Sequence, residues 1–323
     1  AALMKISVLG CGRWGSFLAW YHGRNNEVLL WGREGSRSLR ALKENRANEY
    51  LALPDSVRLT SDLQEALEYA DTVVISISAQ ELRSLCCRIN HFPVEGKRFI
   101  LCMKGLEIET GKRLTEVVRE CIQQPVGVAV WVGPGHVQDF TAGIPNCMVV
   151  DSADPTLTEY IVNTFSSELI RLYKGHDLAG TEVGAAAKNV IGIAAGMLDG
   201  LNLSSLKGAL MARGAREISR LMKAMGASEL SAYGLCHLGD CEATLFSAHS
   251  HNRKFGECYI RGEKFESLAE GVPTVKALVA LGKKYDVDLP ICRTVYAVLY
   301  DAAPPKQALQ DLFARSVKGE FDA

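Results

Sequence analysis

A chain of 323 residues is longer than the roughly 250 to 300 residues at which single hydrophobic cores stop growing, so two cores are expected. Its 36 Lys plus Arg balance 37 Asp plus Glu, which argues against bulk electrostatic binding of nucleic acid or a lipid surface and for small, locally steered ligands. The ten cysteines are scattered, include the adjacent pair Cys86 and Cys87 and offer no Cys-x-x-Cys spacing, which fits a reducing cytosol better than a disulfide framework.

No run of eighteen uninterrupted apolar residues and no signal-peptide pattern is present, so a soluble, cytoplasmic protein without membrane insertion is expected. Ala1, Ala2 and Leu3 precede Met4 and are set aside from the fold. The first half then alternates short β-branched runs with helical patterns, the signature of a parallel sheet with crossover helices. Strands are predicted at Lys5–Leu9, Glu27–Trp31, Thr72–Ile77, Arg98–Cys102, Val128–Trp131 and Asn146–Val150. Beyond Lys174 the pattern turns helical, with helices predicted at Thr181–Leu198, Leu206–Met225, Val272–Tyr285 and Thr294–Tyr300, and loops at Asp199-Gly200, at Gly226 and from Gly234 to Gly256. The expected fold class is α/β: a Rossmann-type doubly wound sheet over residues 1–177 followed by an all-α domain over 178–323.

Gly10-Cys11-Gly12-Arg13-Trp14-Gly15 follows the first strand and opens a helical stretch from Ser16 to His22. In that setting the first glycine permits a tight turn, the second lets the backbone approach a pyrophosphate and the third allows close helix packing, while helix amides favour the anion. The second strand ends in Gly32-Arg33-Glu34, where an acidic residue would select NADH; Arg33 comes first and a guanidinium there can pair with the 2′-phosphate of NADPH. Either cofactor is expected, with the arginine tilting the choice toward NADPH. The alternative is a solvated surface arginine.

From Val183 to Leu198 the chain reads VGAAAKNVIGIAAGML, so apolar that Lys188 is its only charge. A helix of this kind is buried on most sides, and a buried ammonium costs free energy unless paired. Lys188 is therefore expected either to snorkel or bridge a carboxylate, or to face a cleft between domains and exchange a proton with a substrate oxygen. Lys104-Gly105 follows a strand near the carboxyl edge of the sheet, where open α/β sheets bind ligands; an exposed loop lysine is the alternative. Gly133-Pro134-Gly135-His136 offers backbone amides for an anion nest, or an ordinary turn. His237-Leu238-Gly239-Asp240 and Ser250-His251-Asn252-Arg253 share one polar, loop-rich segment. No metal is expected, because the seven histidines lack a ligand-like set and the trio His237, His249 and His251 reads as incidental.

In order, these pieces resemble the NAD(P)-dependent glycerol-3-phosphate dehydrogenases of the bacterial type. The likeness runs through GxGxWG at Gly10 to Gly15, WGR at Trp31 to Arg33, Tyr50-Leu51 between Asn48 and Pro54, and KG at Lys104. It continues through GP-x-H at Gly133, E-V-G-A-A-x-K-N-V-I at Glu182 to Ile191, DG at Asp199, LGD at Leu238, S-x-N at Ser250 to Asn252, and EG at Glu270. The resemblance implies reduction of dihydroxyacetone phosphate to sn-glycerol 3-phosphate, the backbone of glycerophospholipids, with a homodimer as one assembly. Carried over by position, Lys188 is the proton donor and acceptor, and Lys104, Gly133, Gly135, Lys188, Asp240, Ser250, His251 and Asn252 meet the small phosphorylated substrate. Gly10, Gly12, Arg13, Trp14, Gly15, Arg33, Tyr50, Lys104, Val137, His251, Leu268 and Glu270 fall around the dinucleotide.

Three positions depart from the pattern. Arg13 stands where the family usually has Ser, Gly135 where a substrate-contacting Ser is common, and His251 where S-R-N carries Arg. Arg253 is expected to make up for the lost guanidinium at 251. A two-domain dehydrogenase of hydroxy acids is the rival enzyme reading, and a dinucleotide-sensing protein without chemistry is the non-enzymatic one.

Overall fold

The computed structural model describes residues 3–315 and 318–322, so Ala1 and Ala2 lie outside the described residues. The chain divides into two compact units, Ala1–Met103 with Leu114–His176, and Lys104–Arg113 with Asp177–Ala323.

The first unit runs β1 (Lys5–Leu9), α1 (Arg13–Gly23), β2 (Glu27–Trp31), α2 (Arg37–Asn45), β3 (Val57–Thr60), α3 (Leu63–Tyr69), β4 (Thr72–Ile75), α4 (Leu82–Ile89), β5 (Arg98–Leu101), α5 (Leu114–Cys121), β6 (Gly127–Val132), α6 (Val137–Thr141), β7 (Asn146–Ser152), α7 (Pro155–Phe165) and β8 (Ile170–Lys174). The strands form one sheet in the order β3-β2-β1-β4-β5-β6-β7-β8, parallel throughout except that β7 runs antiparallel to β6. Strand order reverses between β1 and β4, the switch point at whose carboxyl edge open α/β sheets take ligands. Central strands are apolar along their length because helices cover both faces: Val73, Val74 and Ile75 are wholly buried, each contributing about 1.5–3 kcal/mol relative to exposure. Helix starts are set locally, as where Ser36 accepts from Leu39 N and where Asp154 accepts from Thr156 N just ahead of Pro155.

The six strands read from sequence all form, within two residues of the expected ends. Two further strands, β3 and β8, are additional. β3 is an edge strand with Arg58 exposed, and β8 alternates buried Ile170 and Leu172 with exposed Arg171 and Tyr173, so neither carries a continuous apolar run.

The second unit is α8 (Leu178–Gly200), α9 (Lys207–Ala224), α10 (His251–Arg261), α11 (Gly271–Lys284), α12 (Pro290–Tyr300) and α13 (Pro305–Phe313). A buried carboxylate links two of them: Glu217 of α9 accepts from Ile291 N at 2.8 Å and Cys292 N at 3.0 Å, satisfying amides that the α12 start leaves open. The segment expected to be loop from Gly234 to Gly256 is a correction. It holds two short helical turns and then enters α10 at His251, because Ser250 caps that helix, its Oγ accepting from Arg253 N at 3.3 Å. The polar run His251 to Lys254 concealed the helix. No described helix is long and apolar enough to cross a membrane.

Candidate active site

In the first unit, β1 delivers the chain into the glycine loop. Gly10 has φ +113, and a Cβ there would lie 2.0 Å from Ser76 O beyond β4; only glycine makes this turn against the neighbouring strand. A Cβ on Gly15 would meet Gly10 O at 1.9 Å, so α1 starts pressed against the turn. At Gly12 the same construction meets nothing within 4 Å. The loop is thus closed on its two outer glycines and open at the middle one, which is the cradle that a pyrophosphate needs beside the α1 amides. The residues present fit a dinucleotide. Gly12→Ala should leave the melting temperature near the parent value while weakening NADPH binding about ten-fold or more, and Gly15→Ala should lower the melting temperature by several degrees. Calorimetry and fluorescence titration read the two effects separately.

Around the loop, Arg13 is half-buried rather than turned to water, and burial lowers its pKa against the pull of nearby Tyr50 and Glu49. Arg33 stands at the end of β2, largely exposed, with Nη1 3.9 Å from Glu81. That loose surface pair leaves the guanidinium available. Val137 is buried; its side chain belongs to the core, leaving the backbone as its means of contact. Trp14 packs against Phe140, ring centroids 6.2 Å apart. The Gly133–His136 turn passes over the same ring: Gly135 has φ +131, and a Cβ there would lie 2.3 Å from Phe140 Cε2 and Cζ. The departure at Gly135 is therefore matched by Phe140, and a serine does not fit above it.

The second unit is organised by one ridge of α8. Gly180, Gly184, Lys188, Gly192, Gly196 and Gly200 recur every four residues, the spacing of a packing ridge. The glycines let other segments lie directly on the helix backbone. A Cβ at Gly184 would meet Cys236 Sγ at 2.9 Å, at Gly192 Thr244 Cγ2 at 2.6 Å, and at Gly196 Arg253 O at 1.8 Å. Lys188 is the one long side chain in this row, and it ends on Asp240: Nζ donates to Oδ2 at 2.5 Å. Lys104 donates to the same oxygen at 2.7 Å. The side chains of Lys188 and Asp240 are 6% and 3% exposed, and that of Lys104 is 22% exposed. Gly192, one turn after Lys188, places Thr244 and Asn252 along the same ridge.

Two ammoniums on one carboxylate oxygen leave an excess positive charge. Burial, and then the neighbouring Lys104 ammonium acting against Asp240, hold Lys188 well below the usual lysine range. Burial alone would raise Asp240, but the two lysines outweigh it and keep the carboxylate ionised. His237, wholly buried, is pushed down to about 4 by burial, and its Nδ1 lies 2.8 Å from Gly184 O; since a carbonyl only accepts, Nδ1 carries the proton.

Arg253 does not replace the missing guanidinium at position 251. Its Nε donates to Ser247 O at 2.8 Å, and its Nη1 donates to Asp199 at 3.0 Å and Glu257 at 2.6 Å. Lys207 also binds Asp199, at 3.0 Å, and Leu245 O, at 2.8 Å. These contacts clamp the segment between Asp240 and Asn252. Ser250 is committed to capping α10, Asn252 Oδ1 accepts from Gly271 N at 2.9 Å, and half-buried His251 meets the edge of Phe265 at 6.0 Å. Glu270 immediately precedes α11, and Leu268 is more than half exposed. Sequence reading missed Thr244, whose Oγ1 donates to Asp240 O at 2.9 Å, and the Arg113–Glu182 ion pair. The four-residue glycine spacing centred on Lys188 was the available signal for Thr244; nothing local announces the ion pair.

Two family models match the chain, the NAD-dependent glycerol-3-phosphate dehydrogenase N-terminus over residues 5–158 and its C-terminus over residues 177–310. A glycerol-3-phosphate dehydrogenase (NAD(P)+) of Pelodictyon phaeoclathratiforme is 35% identical, the alignment covering 99% of this chain and 100% of that one. One from Thermotoga sp. (strain RQ2) is 35% identical over 98% and 99%. The crystal structure of glycerol-3-phosphate dehydrogenase from Coxiella burnetii superposes with a TM-score of 0.89 at 27% identity, covering 97% of this chain and 99% of that one.

Proposed function

The chain belongs to the NAD-dependent glycerol-3-phosphate dehydrogenase family, and from that premise we propose which of its residues perform the reaction. The enzyme reduces dihydroxyacetone phosphate to sn-glycerol 3-phosphate with NADPH or NADH. The rival readings, a hydroxy-acid dehydrogenase and a sensor without chemistry, give way to this one.

The observation that carries the residue assignment is the shared Asp240 oxygen between Lys188 and Lys104. When bound, the reduced nicotinamide supplies the hydride. Lys188 gives a proton to the substrate carbonyl oxygen as that carbon is reduced, and is left as a neutral amine, a state its burial makes accessible. Asp240 aims both lysines, and Lys104 offsets negative charge on substrate oxygen or phosphate. Asn252, packed against Gly192 of α8, adds an amide N–H for the phosphorylated end, its Oδ1 being taken by Gly271 N. Gly10 to Gly15, with Arg13 and Trp14, hold the pyrophosphate, and Arg33 meets the 2′-phosphate of NADPH.

Cofactor oxidation followed by absorbance should show turnover of dihydroxyacetone phosphate with both nicotinamides, and Arg33→Ala should lower the NADPH-to-NADH ratio of kcat/KM. Turnover of a hydroxy acid with none of dihydroxyacetone phosphate would overturn the reading. At position 251, an imidazole carries little charge above neutral pH, whereas a guanidinium stays charged and binds phosphate bidentately. His251→Arg should therefore lower the KM for dihydroxyacetone phosphate several-fold at alkaline pH and less at acidic pH. Equal KM values for both proteins at alkaline pH would remove His251 from the phosphate site. A cytoplasmic homodimer that supplies glycerophospholipid backbones rests on the family likeness, and sedimentation equilibrium tests the dimer.

A further inference from the structure

On the sheet of the first unit, α4 and α5 lie side by side with their carboxyl ends held level. Gln123 N donates to Asn90 Oδ1 at 3.1 Å, and Gln124 Nε2 donates to Asn90 O at 3.2 Å. Further back, Arg83 of α4 reaches across, its Nη1 3.0 Å from Glu120 Oε1 and 3.5 Å from Cys121 Sγ. Cys87 sits one turn after Arg83 on the same face, between these two cross-links and level with Cys121 of α5. The two differ in access: Cys87 is exposed and Cys121 buried, while the adjacent Cys86 is wholly buried. The reduction of a ketone uses none of the three.

We propose that Cys87 and Cys121 are a reversible dithiol–disulfide pair oxidised by hydroperoxides. The exposed Cys87 thiolate attacks a peroxide oxygen, the O–O bond breaks, and Cys87 becomes a sulfenic acid as the departing oxygen takes a proton. Cys121 sulfur then attacks Cys87 sulfur, the S–S bond forms, and the sulfenic oxygen leaves as water with the Cys121 proton. With hydrogen peroxide, two thiols and one peroxide give one disulfide and two waters, the two electrons passing from sulfur to oxygen. The order follows from the site. Burial pushes the Cys121 thiol up to about 11, so it is not the first to react, while the Arg83 guanidinium at its sulfur favours the thiolate needed for the second step. A low-molecular-weight dithiol reverses the bond, as for other transient disulfides of reducing compartments.

The test takes the full chain, fully reduced and freed of reductant, through a hydrogen peroxide titration, with alkylation under denaturing conditions and peptide mapping. Two of the ten thiols should disappear first, in one linked peptide pair containing Cys87 and Cys121, and dithiothreitol should restore both. Cys121→Ser should stop at a Cys87 sulfenic acid that dimedone traps, and Cys87→Ser should leave Cys121 alkylatable at the same dose. The proposal fails if the first thiols lost are others, if Cys86 and Cys87 link to each other, or if the parent protein accumulates Cys87 sulfenic acid with Cys121 free.

Discussion

Lys188→Ala is expected to lose turnover of dihydroxyacetone phosphate by about 10²–10⁴-fold, the range for removal of a general acid, while NADPH still binds the glycine loop. Asp240 keeps Lys104 as partner in that variant, so the fold should survive and stopped-flow kinetics can be compared directly. Lys188→Arg separates proton transfer from charge. A guanidinium restores the positive charge beside Asp240 but cannot give up its proton near neutral pH. If the ammonium acts as an acid, the arginine variant should be nearly as slow as the alanine one. If it acts only as a charge, arginine should recover most of the rate, and the proton role assigned to Lys188 would fall.

Asp240→Asn should produce the second large effect, on stability and on pH dependence together. The asparagine leaves two ammoniums facing each other, with Lys188 only 6% exposed. Breaking a buried ion pair from one side costs about 3–5 kcal/mol, which chemical denaturation should read as a lower midpoint. The sign of the pH effect follows from the same contacts. Asp240 is the group that raises the Lys188 pKa against burial and Lys104, so without it that pKa falls further. Ketone reduction needs the protonated lysine; its alkaline loss of rate should therefore begin at lower pH in Asp240→Asn than in the parent enzyme. An unmoved or upward-shifted alkaline limb would separate Asp240 from Lys188 in function. Lys104→Met added to Asp240→Asn should recover part of the lost stability by removing one of the two like charges.

Lys188 was legible because one charge in an otherwise apolar helix has to be explained, and the glycine loop because its context of strand and helix is local. The partner of Lys188 was not legible. Asp240 lies 52 residues after Lys188 and 136 after Lys104, and only the folded chain brings both lysines to its one oxygen. The six central strands showed as apolar runs, whereas β8 spends alternate positions on solvent. Arg253 shows the limit of proximity in sequence: two residues from His251, it is one part of an ion network with Asp199, Glu257 and Lys207.

The contact between Gly135 and Phe140 also constrains the order in which this loop can change. A serine at 135 meets the ring at 2.3 Å and a φ of +131 that suits only glycine, so the substitution is unfavourable in the present background. Replacing Phe140 by a smaller residue removes the steric half of that barrier, and the turn must then re-form with an ordinary φ. A side-chain hydroxyl at 135 is therefore at least two steps away, and the first step, at Phe140, adds no ligand contact of its own.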